Sequence, residues 1–229
     1  MAGTQRVLYT ALMLSRLIRP HATALDYTVR RIINADGTER LIPNDAGEAR
    51  VAFRVDDGSR NWLDIGEADE LSALLQVYDP DVLPQRVRRA RAFAEFVVRE
   101  RFVESALPLI VAGLEALTKV GRPHVSAQFE QRASALAAEL GIVGLDRERC
   151  AAAYDDRSGL VHGGDLDLSA PAAHDDFMTT FDALQRTLRA AVRLAIEQPE
   201  FAAIFNSDDL IREQWPTTIT PKRGESFIV

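Results

Sequence analysis

The chain has a single cysteine, Cys150, among its 229 residues. No intrachain disulfide can form, and a zinc site built from several cysteines of one chain is excluded. That usage fits a reducing, cytoplasmic setting. The four histidines, His21, His124, His162 and His174, lie far apart, and none has a second histidine or a cysteine at ligand spacing. Neither a metal site nor a cofactor is expected. Also missing are a Walker-type phosphate loop, a G-x-G-x-x-G turn after a strand, a His-Glu-x-x-His helix and a G-x-S-x-G elbow. Long apolar runs are scarce too. "VLYTALMLSRLIRP" at 7–20 is short, is interrupted by Arg16 and Arg19, and is followed by no small-residue cleavage site. It reads as a folded element, not a signal peptide or membrane span. Positive charge is in deficit: the net charge is -7 and the pI about 5.2. This argues against non-specific coating of nucleic acid or an anionic membrane, and leaves room for a local basic groove.

What is present is a core-forming, largely helical pattern. With 47% hydrophobic residues the chain can bury a substantial interior. We expect a mainly α protein, an antiparallel helical bundle with a small strand-containing N-terminal part. The division is 1–80 for that N-terminal part, 81–200 for the bundle and 201–229 for a C-terminal tail. A helix is expected near 5–18. "DYTVRRIINADGTERLIP" places β-branched residues on both sides of Asp36-Gly37, a hairpin signal. A second Asp-Gly at 57–58 sits in another alternating stretch.

From about residue 67 the period becomes helical. Pro84 opens one helix, where a missing N–H costs nothing. Leu107, Ile110, Val111, Leu114 and Leu117 form one apolar stripe, with Pro108 in the first turn or at a kink. Ser126 is the expected N-cap of the next helix and Gly141 its stop. Asp146 starts a helix that ends on Gly163-Gly164. A long helix follows Ser169, with Phe177, Phe181, Leu184, Leu188, Val192 and Ala195 on one face. The tail after Pro199 has aromatic residues and no clear period.

"YDDRSGLVHGG" at 154–164 concentrates the chemistry. On a continuous helix Arg157 and His162 would be about 140° apart. The two glycines end the helix at or just before His162, so the imidazole can fold back from the terminal turn. A helix C-terminus also attracts positive charge. Such a pair suits phosphodiester cleavage: histidine moves protons and arginine holds the charge that builds on the phosphoryl oxygens. The alternative is purely structural, since arginine near a helix C-terminus and glycine beyond it are ordinary.

Together with "LIVAGLEAL" at 109–117, the helix order and the long final helix, this stretch resembles the HEPN superfamily (higher eukaryotes and prokaryotes nucleotide-binding domains). The ApeA-like HEPN branch is the nearest form. The resemblance covers about residues 85–197. It implies a compact helical bundle, a homodimer and a metal-independent endoribonuclease whose two Arg/His motifs form one composite cleft. Arg157 and His162 would be catalytic there, and the product would carry a 2′,3′-cyclic phosphate. Ser158 fills the slot after the arginine, where active members often carry Asn or Asp. The resemblance also allows a catalytically silent binding module, or the effector of a bacterial defence or toxin system with an antidote as partner.

Several other residues have two readings. Glu115 either orients Arg157 or is an ordinary boundary residue. Tyr154 either stacks on a base or packs between helices. Asp155 and Asp156 read as a solvated face. Arg86, Arg88, Arg89 and Arg91 form the most basic run and could guide RNA, although Glu95, four residues after Arg91, is placed to pair with it.

Overall fold

The computed structural model describes residues 2–21, 27–34, 36–45, 63–100, 102–166 and 169–218. The chain runs α1 (Ala2–Ile18), β1 (Tyr27–Ile33), β2 (Glu39–Asp45), α2 (Ile65–Val77), α3 (Gln85–Val97), α4 (Val103–Thr118), α5 (Val125–Glu139), α6 (Arg147–Val161), α7 (Pro171–Glu197), α8 (Pro199–Ile204) and α9 (Asp208–Gln214). Among the described residues the protein is mainly helical, a bundle with one two-stranded antiparallel ribbon. The ribbon turns at Asp36-Gly37 as its sequence dictates. Gly37 takes a φ of 80°, and Asp36 accepts hydrogen bonds from the Thr38 amide (2.9 Å) and hydroxyl (2.7 Å). Ile33 faces Glu39 and Tyr27 faces Asp45 across the ladder. The second Asp-Gly, at 57–58, lies outside the described residues.

One core unites the helices. The α4 stripe of Leu107, Ile110, Val111, Leu114 and Leu117 is fully buried, and the α7 stripe of Leu184, Leu188, Val192 and Ala195 meets it. Leu14 and Leu17 of α1 and Leu74 of α2 join the same cluster. So do Phe201, Phe205 and Trp215, from the tail that showed no period in sequence. α8 and α9 are too short, at 6 and 7 residues, to display a repeat. Trp215 packs against Phe205 with ring centroids 5.7 Å apart.

Gly113 explains how closely α4 fits its neighbours. A Cβ there would lie 2.7 Å from Leu188 Cδ2 and 3.1 Å from Phe93 Cβ. Leu188 is buried and cannot swing away. Gly113→Ala is therefore expected to destabilise the fold by about 1–2 kcal/mol, after the roughly 1 kcal/mol gained in helix propensity. An unchanged or raised denaturant midpoint would contradict this.

Two helix boundaries differ from expectation. α5 is capped by His124, not Ser126. His124 has a φ of 54° and offers no side-chain cap. The buried Gln128 fixes this entry instead, donating to Pro123 O (2.7 Å) and accepting from Val120 N (2.8 Å). Pro108 stands inside α4, beyond its first turn, because the helix already begins at Val103. Pro84, Asp146 and Gly141 take the expected positions: Asp146 accepts from Arg149 N at 2.9 Å, and Gly141 has a φ of 68°.

At the end of α1, Ser15 donates to Leu12 O (2.7 Å), so its oxygen accepts from His21 Nε2 (2.8 Å). His21 is fully buried. Burial, and then the Arg16 charge, pull its pKa from 6.5 to about 4. Above pH 6.5 both folded and unfolded chains hold this ring neutral. Between 6.5 and 4 only the unfolded chain gains the proton, so stability falls by roughly 3 kcal/mol over that window. Urea titrations at several pH values should show the loss, and His21→Gln should flatten it.

Candidate functional site

α6 carries the "YDDRSGLVHGG" stretch, and its end is built from backbone. Gly163 takes a φ of 84° and donates to Leu160 O (3.1 Å), while Gly164 donates to Gly159 O (2.9 Å). These two bonds make a Schellman cap, with His162 as the C-cap. Both glycines are needed. Gly163 supplies the left-handed φ, and a Cβ on Gly164 would meet Gly159 O at 3.1 Å. His162 therefore stays in register as the last residue of the turn, its amide bonded to Gly159 O (3.0 Å) and Ser158 O (3.2 Å). It keeps the helical rotation of about 140° from Arg157, so the expected fold-back does not occur and one subunit does not bring the two side chains together on one face. Its side chain is exposed and makes no hydrogen bond or ion pair with a described residue.

Arg157 lies on the face of α6 that meets α4. Its Nη2 is 3.8 Å from Glu115 Oε2, and its guanidinium carbon sits 5.7 Å from the centre of the Tyr154 ring. Tyr154 and Arg157 are three residues apart, so they share that face. Tyr154 also packs on Phe129 of α5 (5.4 Å) and donates weakly to Glu115 Oε1 (3.4 Å). Burial, and then the Glu115 charge, raise the tyrosine's pKa. Glu115, Tyr154 and Arg157 thus form one constellation. At 3.8 Å the carboxylate steers the guanidinium by charge, without a hydrogen bond, and Arg157 Nε is buried with no hydrogen-bond partner. Most of the arginine's donors are unspent.

The basic run on α3 divides. Arg86 donates to Ala116 O (3.2 Å) and Lys119 O (2.7 Å) and pairs with Asp208. Arg91 donates to the Tyr78 hydroxyl and stacks on that ring. These two close the carbonyl end of α4 and pin α3 to the loop after α2. Glu95 does not take Arg91. It pairs with the buried Arg16 and, at 3.1 Å, with Arg99. Arg88 and Arg89 are exposed. Asp155 is exposed and Asp156 half-buried, with the Asp156 pKa raised by burial and then by Asp155. Cys150 is fully buried, and burial pushes its thiol up to about 12, which leaves it inert at neutral pH.

Sequence reasoning missed Arg132, which is buried. Nε donates to Trp215 O (2.9 Å), and Nη1 donates to Gln128 Oε1 (2.6 Å) and Thr118 O (3.1 Å). Arg132 thus adds a second guanidinium to the C-terminus of α4, where the helix dipole favours a cation. Nothing in its helical register distinguished it from a surface charge.

Among the described residues, no group of three His, Cys, Asp or Glu side chains could hold a metal ion, and no helix is long and apolar enough to cross a membrane. Comparison of the chain with protein-family models, curated proteins and solved structures gives no match in any of the three.

Proposed function

We propose that the chain is a metal-independent endoribonuclease of HEPN type, acting in the cytoplasm as a homodimer, with Arg157 and His162 at a composite site. One observation carries the reading. Arg157 is held by Glu115 and Tyr154 with most of its donors unspent, and His162, little more than one turn later, is exposed with no polar partner among the described residues. In this reading His162 takes the proton from a ribose 2′-OH. The 2′-oxygen attacks phosphorus and the 5′-oxygen leaves. The partner subunit's His162 returns a proton to that leaving oxygen. Arg157 holds the charge on the non-bridging oxygens. The products are a 2′,3′-cyclic phosphate and a 5′-hydroxyl. Within a bacterial defence or toxin system, such cleavage would serve as the effector step, and an antidote would act by covering this face.

A second reading also has an observation behind it. Arg157 already has a carboxylate neighbour, as an arginine in a silent binding module would. Incubating the purified chain with tRNA and total RNA in EDTA separates the two. Fragments ending in cyclic phosphate support the nuclease. Intact RNA supports the silent module.

A further inference from the structure

α3 and α4 are an antiparallel pair, and an open groove of about 460 Å3 runs between the N-terminal half of one and the C-terminal half of the other. Arg86, Arg89 and Phe93 line it from α3, and Glu115 and Lys119 from α4. The charges there do not cancel. Arg86 is matched by Asp208, and Glu115 by Arg157 on the neighbouring helix. Arg89 and the Lys119 ammonium have no ion pair or hydrogen bond to a described residue. Two unspent cations thus line one groove of a chain whose net charge is -7. Phe93, half-buried, adds an aromatic surface to the same groove.

From this we infer that the α3/α4 groove binds single-stranded RNA, with Arg89 and Lys119 on successive backbone phosphates and Phe93 against a base. A groove of about 460 Å3 is too small to seat a duplex and suits a short stretch of one strand. Cations that follow a backbone, with an aromatic ring for stacking, are what an unpaired strand requires. Glu115, the residue that holds Arg157, stands in the wall of the groove between Ala112 and Lys119. A strand lying in it passes beside the carboxylate that holds Arg157, and in that respect the inference rests on the proposed function. The inference also sorts the basic run of α3. Arg89 shares a face with Arg86 and Phe93, whereas Arg88 falls on the flank of Arg91 and Glu95, outside the groove.

Binding is read without turnover, in the full chain carrying His162→Ala, by fluorescence anisotropy of a fluorescein-labelled oligouridine RNA. Arg89→Glu and Lys119→Glu should each weaken binding roughly threefold to tenfold and lower the salt slope by about 0.7–1. Arg88→Glu should do neither, and circular dichroism melts confirm that all variants fold. The inference is overturned if the parent fails to bind, if folded groove variants bind like the parent, or if Arg88→Glu costs as much as Arg89→Glu. The two claims fail separately. Binding that is lost in the groove variants stands even if the native chain cuts no RNA. Cleavage that survives both charge reversals removes the groove and leaves Arg157 and His162 in place.

Discussion

His162→Ala should lower RNA cleavage by about 10²–10⁴-fold, the usual worth of a positioned acid–base group, and leave the denaturation midpoint where it was. The separation is clean because of how α6 ends. The structural duty of His162 is carried by its amide, which bonds to Gly159 O and Ser158 O, and alanine keeps that amide. The imidazole is exposed and touches no polar partner among the described residues. Arg157→Ala should cost a similar factor in cleavage and some stability besides, because its guanidinium rests on the Tyr154 ring. Arg157→Lys should keep the positive charge and recover little activity, since an ammonium lacks the planar fork that grips two oxygens. Cleavage assays run beside urea melts on the three variants decide the matter. Full activity in a folded His162→Ala protein would remove the histidine from the chemistry.

The second large effect is on stability. Arg132→Ala should destabilise the fold by about 2–4 kcal/mol, the usual cost of leaving two buried carbonyl acceptors unsatisfied at roughly 1–3 kcal/mol each. Arg132 is 3% exposed, and its guanidinium bonds to Trp215 O, Thr118 O and Gln128 Oε1. Removing it strands two helix-end carbonyls in a place water does not reach, while Gln128 Oε1 keeps the Val120 amide. The network has no carboxylate within it. Burial above all, with the Arg212 charge behind it, lowers the guanidinium's pKa. The compensation is three oriented acceptors and the negative ends of α4 and α9. Arg132→Lys should rescue only part of the loss, since one ammonium cannot span all three. Chemical denaturation of both variants provides the test. A midpoint within experimental error of the parent in Arg132→Ala would show that the network contributes nothing.

How much of this was readable in advance depends on the kind of signal. The bundle was legible because α4 and α7 repeat their apolar residues over many turns, and the hairpin because Asp36-Gly37 can do little else. The ends of α6 were legible for the same reason, through Asp146 and the paired glycines. The contact of Arg157 with Glu115 was one of two readings that the acidic residue beside the α4 stripe allowed, and the contact of Arg157 with Tyr154 shows only in the fold. What stayed hidden was tertiary. Arg132 looks like any helical arginine until Trp215 and Thr118 turn their carbonyls toward it. The run Arg86, Arg88, Arg89 and Arg91 looks uniform until the helix is rotated into place. Then two members close the structure, one faces the groove, and one faces water on the opposite flank.

The clamp on the end of α4 also bears on how the protein is made. One of its guanidiniums, Arg86, precedes α4, and the other, Arg132, is anchored on a carbonyl 83 residues downstream. A ribosome delivers the chain from its N-terminus, so α3 to α7 emerge before the anchor exists. Until Trp215 is out, Arg132 lacks one of its three acceptors and the far side of α4 lacks its cover. The nascent bundle therefore reaches its final stability only once Trp215 has emerged. A cut or an added tag near 208–215 would be felt at α4, and hence at Glu115, far away along the chain.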